Sequence, residues 1–518
     1  MSKEQQVFPC RQHGLRTCNI LTLQVQRGTP DRSRLLNFIR EKFLLHSATA
    51  ERLYHQYAES QPIIDYHSHL PAADVASDRR FSDLCEIWLE GDHYKWRAMR
   101  ANAVPEEFCT GEASPKEKFV AWARTVPYTL RNPLYHWSHL ELKRYFDIDS
   151  LLNEQTAESV WHRANERLQT DDLTAQNILR KFHVRAVCTS DDPTDSLEHH
   201  ISINSQNPGF RVYPTFRPDK SLLVDKPDLF NPWLERLEAA SNVDVSTLAG
   251  LLHALDLRHQ YFHDNGGRLS DHGLPYCYAN PCAEAEAARI YANARAQRAA
   301  SNLEHQQFAS FLMVYFGHLD CKRGWTKQLH LGPLRSANTR KLRELGPDTG
   351  FDSIGDYPQA AALSAYLDLL ESEHALPRTI IYNNNPADNY VLATAAGNFQ
   401  DESTPGKIQF GGAWWFLDQK EGIELQLNAL SNTGLLARFV GMVTDSRSFM
   451  SFPRHEYFRR VLCNLLGNDM EKGDLPDDEA LVGDMVRRIC FQNACDYLAL
   501  ELSPEVPASH TAAVARTT

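Results

Sequence analysis

Short apolar stretches that end in polar or charged residues recur along this chain. Eight of them occupy residues 62–70, 184–192, 210–219, 266–273, 325–332, 378–385, 407–416 and 439–447. Helical patterns lie between most of them, for example over 282–300 and 361–377. Because strands that alternate with helices form a parallel sheet buried on both faces, the pattern predicts an α/β fold. Eight such units indicate a closed (β/α)₈ barrel of the TIM type, although an open doubly wound sheet would give the same pattern.

The interval after the first predicted strand is far longer than one crossover. It runs from residue 71 to 183, and apolar residues at mixed three- and four-residue spacing in 80–104 and 133–146 predict helices there. We therefore expect a helical insertion that folds over the mouth of the barrel, where a barrel of this kind carries its chemistry.

The two ends of the chain are predicted to lie outside the barrel domain. Residues 36–500 hold the predicted barrel, and residues 501–518 form a C-terminal tail. Residues 1–35 are predicted to be an N-terminal extension that is disordered or loosely packed. Its basic, acid-poor composition would also suit a targeting segment.

The overall composition is that of an ordinary globular protein, with 42% apolar and 23% charged residues. The formal charge of -12 argues against a nucleic-acid partner, and an anionic small substrate would need local arginines. The eleven cysteines include no CxxC pair, which indicates free thiols in a reducing compartment. No apolar run reaches the ~18 residues that span a bilayer. We therefore expect a cytoplasmic protein with no membrane partner.

Two histidines leave the end of the first predicted strand together. In "IIDYHSHLP", His67 and His69 are two residues apart, so in a strand they point to the same face. Two neutral imidazoles on one face can bind a divalent metal ion. The alternative is a pair of hydrogen-bonded histidines at the rim of a sheet.

A third ligand is predicted at the end of the eighth stretch. Asp445 in "VTDSR" would emerge beside the first strand of a closed barrel. Two imidazoles and one carboxylate suit zinc, manganese or iron, and they leave positions open for water or substrate. In the alternative interpretation, Asp445 is a turn residue or the N-cap of a helix.

Two arginines are candidates to bind an anionic group. Arg447 would share the face of Asp445, and Arg217 in "PTFRPD" follows the third predicted strand. A guanidinium can hold a carboxylate through two parallel hydrogen bonds. Alternatively, Arg447 only braces its loop and Arg217 is a surface residue after a turn.

Motifs in nearly every predicted barrel segment resemble the uronate isomerase (glucuronate isomerase) family of the amidohydrolase superfamily. They include "PIIDYHSHL", "LEGDHYKWRAMR", "TFRPDK", "RLSDHG", "QLHLG", "QFGGAWWF" and "TDSRSF". The resemblance runs from about residue 40 to about residue 500. It implies a (β/α)₈ barrel that interconverts D-glucuronate with D-fructuronate and D-galacturonate with D-tagaturonate.

The resemblance also implies roles for particular residues. The metal ligands would be His67, His69 and Asp445. The substrate contacts would be His93, Tyr94, Arg217, Arg447 and Trp415. Many superfamily members carry a strand-4 lysine that bridges two metals, and "RLSDHG" lacks one. The resemblance therefore implies one divalent ion, with zinc expected and manganese or iron as alternatives.

For other aromatic residues and histidines, the sequence leaves open whether the side chain faces the pocket. Without the resemblance, His93 and Tyr94 would be assigned to an amphipathic helix that packs on the barrel rim. Only one of Trp414 and Trp415 can face a pocket if the chain there is extended. Histidines at strand ends, such as His272 and His330, could line the pocket.

The implied chemistry is proton transfer between C1 and C2 of the sugar through an enediol. Asp445 would bind the metal and move protons, Tyr94 or His93 would be the second acid–base partner, and Arg217 or Arg447 would hold the substrate carboxylate. The first rival hypothesis is a metal-dependent hydrolase of a sugar-acid lactone. The second is a barrel that only binds a sugar acid, which intact metal ligands disfavour. Self-association into a homo-oligomer is also expected.

Overall fold

The strands are short and mostly parallel, and they are buried between helices. The computed structural model describes residues 38–502, so the predicted N-terminal extension and nearly all of the predicted C-terminal tail lie outside the described residues. The strands within that part of the chain are β1 (Ile63–Asp65), β2 (Val184–Cys188), β3 (Arg211–Tyr213), β4 (Thr215–Phe216), β5 (Leu269–Leu274), β6 (Thr326–Leu331), β7 (Pro333–Leu334), β8 (Ser353–Ile354), β9 (Arg378–Asn383) and β10 (Ile408–Phe410).

The parallel strands follow one another in chain order. One sheet has the order β1-β2-β3, and a second has the order β10-β9-β6-β5-β4. A parallel bridge between Asp191 and Phe216 joins them, supported by the 2.8 Å hydrogen bond from Arg217 N to Asp191 O. The third predicted strand is split into β3 and β4 at Pro214, which has no N–H to donate to the ladder. The small antiparallel pair β7 and β8 was not predicted.

The eighth predicted strand, 439–447, is not a regular strand in the structure. Gly441 has φ +86° and Asp445 has φ +47°, and both values break an extended backbone. The stretch nevertheless lies beside the continuation of β1, since Asp445 N donates to His67 O at 3.2 Å and His69 N to Ser446 O at 3.0 Å. It occupies the eighth position of the (β/α)₈ barrel, as predicted, without strand geometry.

Helices cover the outside of the barrel. Those outside the long first interval are α1 (Ala48–Leu53), α9 (Glu198–Gln206), α10 (Pro227–Ser241), α11 (Leu248–Asp264), α12 (Glu284–Arg295), α13 (Asn302–Arg323), α14 (Thr339–Leu345), α15 (Gln359–Ser372), α16 (Asn389–Gly397), α17 (Lys420–Thr433), α18 (Pro453–Lys472), α19 (Glu479–Arg487) and α20 (Asn493–Leu498). Among the described residues, no helix is long and apolar enough to cross a membrane.

The interval between β1 and β2 is helical. Its α-helices are α2 (Ala72–Ala76), α3 (Leu84–Trp88), α4 (His93–Ala101), α5 (Pro115–Thr125), α6 (Pro133–Phe146), α7 (Ala157–Leu168) and α8 (Ala175–Lys181). Helix α6 fastens this region to α18 through a two-point ion pair, in which Arg144 Nε lies 2.6 Å and Nη2 2.7 Å from the carboxylate of Glu456. The start of α4 lies against the same two helices, because Tyr94 contacts Trp137 of α6 and the guanidinium of Arg454 on α18.

Candidate active site

One cavity of about 560 Å³ opens where the parallel strands end. It gathers acidic, basic, imidazole and indole side chains from the barrel loops and from α4. Its lining includes His67, His69, His93, Ser190, Asp191, Arg217, Asp219, Gly273, His330, Arg335, Asp348, Trp414, Trp415, Asp445 and Arg447.

Three of the predicted residues converge in this cavity. His67 Nε2 and His69 Nε2 each lie 3.1 Å from Asp445 Oδ1. Two ligand atoms bound to one zinc ion at a tetrahedral angle lie about 3.3 Å apart, so this spacing suits a shared ion. Both histidines lie beyond the end of β1, which stops at Asp65, so their common direction does not come from strand alternation as predicted.

Charge and burial adapt this group to bind a cation. Burial alone would raise the pKa of Asp445, but hydrogen bonds from His67 and His69 hold it well below its usual range. Burial lowers the pKa of His69, which favours a neutral imidazole. Trp414 Nε1 donates to Asp445 Oδ2 at 2.8 Å and leaves Oδ1 directed at the histidines. Asp445 is not a helix N-cap, because Ser448 caps the next helical turn.

A second group shares His67 and was missed by sequence reasoning. His67, Asp271 and His330 offer ligand atoms within 4.8 Å of one another. His330 Nδ1 lies 2.8 Å from Asp271 Oδ1, and its buried Nε2 has no hydrogen-bond partner among the described residues. An acid inside a buried strand must face a cation or a donor, and that was the available signal for Asp271. His330 lines the cavity, whereas His272 does not.

The two predicted arginines line the cavity but differ in their partners. Arg217 lies 3.0 Å from Asp271 Oδ2 through Nη1 and 3.1 Å from Asp219 Oδ2 through Nε, so it is not a surface residue. Arg447 is 39% exposed, and its one ion pair within residues 38–502 is a looser contact, 3.7 Å from Asp348. Arg447 is therefore the more available cation for a bound anion.

The start of α4 brings His93 and Tyr94 to the site. Asp92 caps the helix by accepting a hydrogen bond from Lys95 N at 2.9 Å. His93 lines the cavity, stacks on Tyr94 and meets Trp415 edge-on at 5.6 Å. The Tyr94 hydroxyl donates to Asp418 at 3.1 Å and borders a smaller adjoining pocket instead. Burial lowers the pKa of His93 and raises that of Tyr94 well above its usual value.

Both tryptophans line the cavity, although only one was expected to do so in an extended chain. Trp415 has φ +54° and begins a 3₁₀ turn, Trp415–Leu417, so the chain there is not extended. Arg335, which sequence reasoning also missed, lies over the ring of Trp415 at 4.4 Å. This cation–π contact adds a third arginine to the cavity wall.

Comparisons with known proteins agree with this arrangement. A family model described as glucuronate isomerase matches residues 35–498. A uronate isomerase of Solibacter usitatus is 61% identical over 467 residues, covering 90% of this chain and 100% of that protein. A uronate isomerase of Caldanaerobacter subterraneus is 50% identical over 464 residues, covering 89% and 99%. The crystal structure of uronate isomerase from Thermotoga maritima has a TM-score of 0.84 at 34% identity and covers 89% of this chain and 99% of that chain.

The fold and the site define a (β/α)₈ barrel enzyme whose mouth holds residue groups suited to a metal ion. The match over residues 35–498 and the identities to the two uronate isomerases identify the family of this enzyme. This chain belongs to the glucuronate isomerase family, whose members are also named uronate isomerases.

Proposed function

We propose that this protein isomerises D-glucuronate to D-fructuronate and D-galacturonate to D-tagaturonate. The carrying observation is that His67 Nε2 and His69 Nε2 converge on Asp445 Oδ1, in one cavity with Arg447, in a chain of the glucuronate isomerase family. An aldose–ketose isomerase needs a group that moves a proton between neighbouring carbons and a cation that offsets the enediolate charge. The cavity offers both.

We propose that His67, His69 and Asp445 hold one divalent metal ion, zinc with manganese or iron as alternatives. Imidazole and carboxylate ligands suit these ions, and the 3.1 Å spacings between their ligand atoms fit a shared ion. When bound, the ion would supply Lewis-acid polarisation of a substrate oxygen. Asp271 Oδ2 lies 3.8 Å from His67 Nδ1, which is too long for a hydrogen bond but places a negative charge beside that ring.

Asp445 is the proposed proton carrier. Its carboxylate lines the cavity, where it would accept a proton from one substrate carbon and return it to the neighbouring carbon. Its backbone, at φ +47°, turns the carboxylate into the cavity. His93 or Tyr94 is the proposed second partner. His93 already lines the cavity, whereas the Tyr94 hydroxyl would have to leave Asp418 to donate to a substrate oxygen.

Arg217, Arg447 and Trp415 are the proposed substrate contacts. Arg217 already forms ion pairs with Asp271 and Asp219, so a substrate carboxylate beside it would be repelled by two negative charges. Arg447 is better placed to face the negative charge of the uronate or of the enediolate, because its contact with Asp348 is loose. The ring of Trp415 offers an apolar wall to the carbon face of the sugar.

NMR of D-glucuronate in deuterated water with metal-loaded protein tests this proposal. We expect ketose to form, and we expect Asp445→Asn to lower kcat/KM by about 10²- to 10⁴-fold, the usual value of a positioned proton carrier. His162→Ala, a change at an exposed histidine, is the matched control and should keep full activity. No ketose from either glucuronate or galacturonate would refute the proposal, and lactone hydrolysis would then be assayed on the same protein.

We further propose that the protein acts in the cytoplasm on a small uronate, without a nucleic-acid or membrane partner, and that it self-associates. The charge of -12 and the absence of a spanning helix among the described residues support the first part. Light scattering of the purified protein tests the second part, and a single monomer mass would contradict it.

A further inference from the structure

A lysine without solvent exposure lies behind the cavity wall. Lys327 on β6 is 0% exposed, and its Nζ lies 2.7 Å from Asp320 Oδ2 on α13. Asp320 is itself fully buried and also contacts His259 Nε2 at 3.0 Å. Burying a charge costs desolvation free energy even when the charge is paired, so packing alone does not explain a lysine at this position.

The same ammonium group fixes the proton of a neighbouring histidine. Lys327 Nζ lies 3.0 Å from His272 Nε2. An ammonium has only donors, so His272 Nε2 must accept and the ring proton must sit on Nδ1. Burial and the Lys327 charge lower the pKa of His272, which keeps the ring neutral. His272 therefore presents an Nδ1–H donor on its other side.

That donor faces a carboxylate of the cavity wall. His272 Nδ1 lies 3.5 Å from Asp219 Oδ1, which is close enough for an electrostatic contact, and both atoms are buried without a hydrogen-bond partner among the described residues. The other oxygen, Asp219 Oδ2, accepts from Arg217 Nε at 3.1 Å and from Gly273 N at 3.0 Å. Asp219 is thus held between a buried donor and the guanidinium that lines the cavity.

We propose that Lys327 and His272 are positioning residues, which hold Asp219 and through it Arg217 in the orientation that meets the substrate. This inference rests on the proposed function, because Arg217 is a proposed substrate contact. Neither Lys327 nor His272 lines the cavity. Their effect on the substrate therefore passes through Asp219 and Arg217 alone, not through direct contact.

The experiment compares His272→Leu with His272→Asn, whose amide nitrogen replaces the Nδ1 donor. We expect His272→Leu to raise KM for D-glucuronate about tenfold with kcat nearly unchanged, because Asp219 would lose its polar contact with Nδ1 and Arg217 would lose its orientation. His272→Asn should stay within about threefold of wild type. The double variant Lys327→Met/Asp320→Asn removes both buried charges together and should resemble His272→Leu.

A merely structural role would lower the melting temperature of all three variants and leave KM at the wild-type value, which would overturn the proposal. Equal KM increases in His272→Leu and His272→Asn would also overturn it, because the donor would then not matter. Calorimetric binding of D-glucarate, which has carboxylates but no aldehyde, should weaken in parallel with KM. Binding of D-glucarate requires no turnover, so it tests the positioning role even if the wild type forms no ketose.

Discussion

The carboxylate of Asp445 contacts three other side chains of the candidate site. One of its oxygens meets two histidine nitrogens at 3.1 Å, and the other accepts from Trp414 at 2.8 Å. Its left-handed backbone is a conformation that aspartate adopts more readily than most residues. The residue therefore combines a fixed direction with a negative charge, which suits the metal-ligand role that we propose for it.

At the residue scale, His67→Ala should lose both metal and activity. The change removes one of three converging ligand atoms, and the remaining two cannot enclose an ion as tightly. We expect the bound metal, measured by elemental analysis after gel filtration, to fall below about a tenth of one equivalent. His162→Ala is the control. Retention of full metal content in His67→Ala would show that His67 is not a ligand.

Gly273→Ala tests the placement of Arg217 by steric means. A Cβ at Gly273 would clash with Arg217 Nη2, so the guanidinium must move away from its two carboxylate partners. We expect kcat/KM for D-glucuronate to fall about tenfold or more at unchanged metal content. Gly397→Ala is the matched control, because a Cβ there meets nothing within 4 Å. Unchanged kinetics of Gly273→Ala would mean that the position of Arg217 does not matter to turnover.

Residues at the ends of predicted strands could be predicted from the sequence, whereas residues whose partners are distant in the chain could not. His67, His69 and Asp445 were predicted from their places at the ends of the first and eighth stretches, and the structure brings them together. Arg335 carries no local signal, and the signal for Asp271, an acid inside a buried strand, does not show which residues it meets. Their importance depends on His330, on Arg217 and on the ring of Trp415, which only the fold brings near them.

At the element scale, the apolar stretches predicted where strands lie but not how regular they are. Seven of the eight predicted stretches contain strands, whereas the eighth runs beside β1 without forming one. Positive φ at Gly441 and Asp445 causes the departure. A glycine inside a strand pattern often indicates such an irregularity, and the sequence prediction did not use this signal. Helix α6, by contrast, matches its predicted span of 133–146, because Asn132 caps it and Pro133 occupies its first turn.

The start of α13 gives a pH test at the same scale. Glu304 closes a capping box with Ser301 and pairs with Arg289, and these hydrogen bonds lower its pKa from 4.5 to about 2. Because the folded pKa lies below the unfolded one, this stabilisation is complete above about pH 4.5 and is lost as the pH falls toward 2. Glu304→Ala should therefore lower the melting temperature at pH 7 and differ less from wild type at pH near 3.5. A constant difference across this range would contradict the assignment.

At the scale of the whole molecule, the helical interval and the barrel build the site jointly. The barrel supplies the candidate metal-binding group and the arginines, and α4 supplies His93. The net charge of -12 would repel a uronate at long range, so our proposal requires local cations, and three arginines line the cavity. Chain order alone predicted a barrel with an insertion, but it did not show which insertion residues reach the mouth.

We propose that one metal ion, held by His67, His69 and Asp445, supports the isomerisation. Titrating zinc, manganese or iron into metal-free protein, with ketose formation from D-glucuronate followed by NMR, tests it most directly. We expect negligible activity without metal and a linear rise that ends at one equivalent per chain. Full activity in metal-free protein, or a rise that ends at two equivalents, would contradict it.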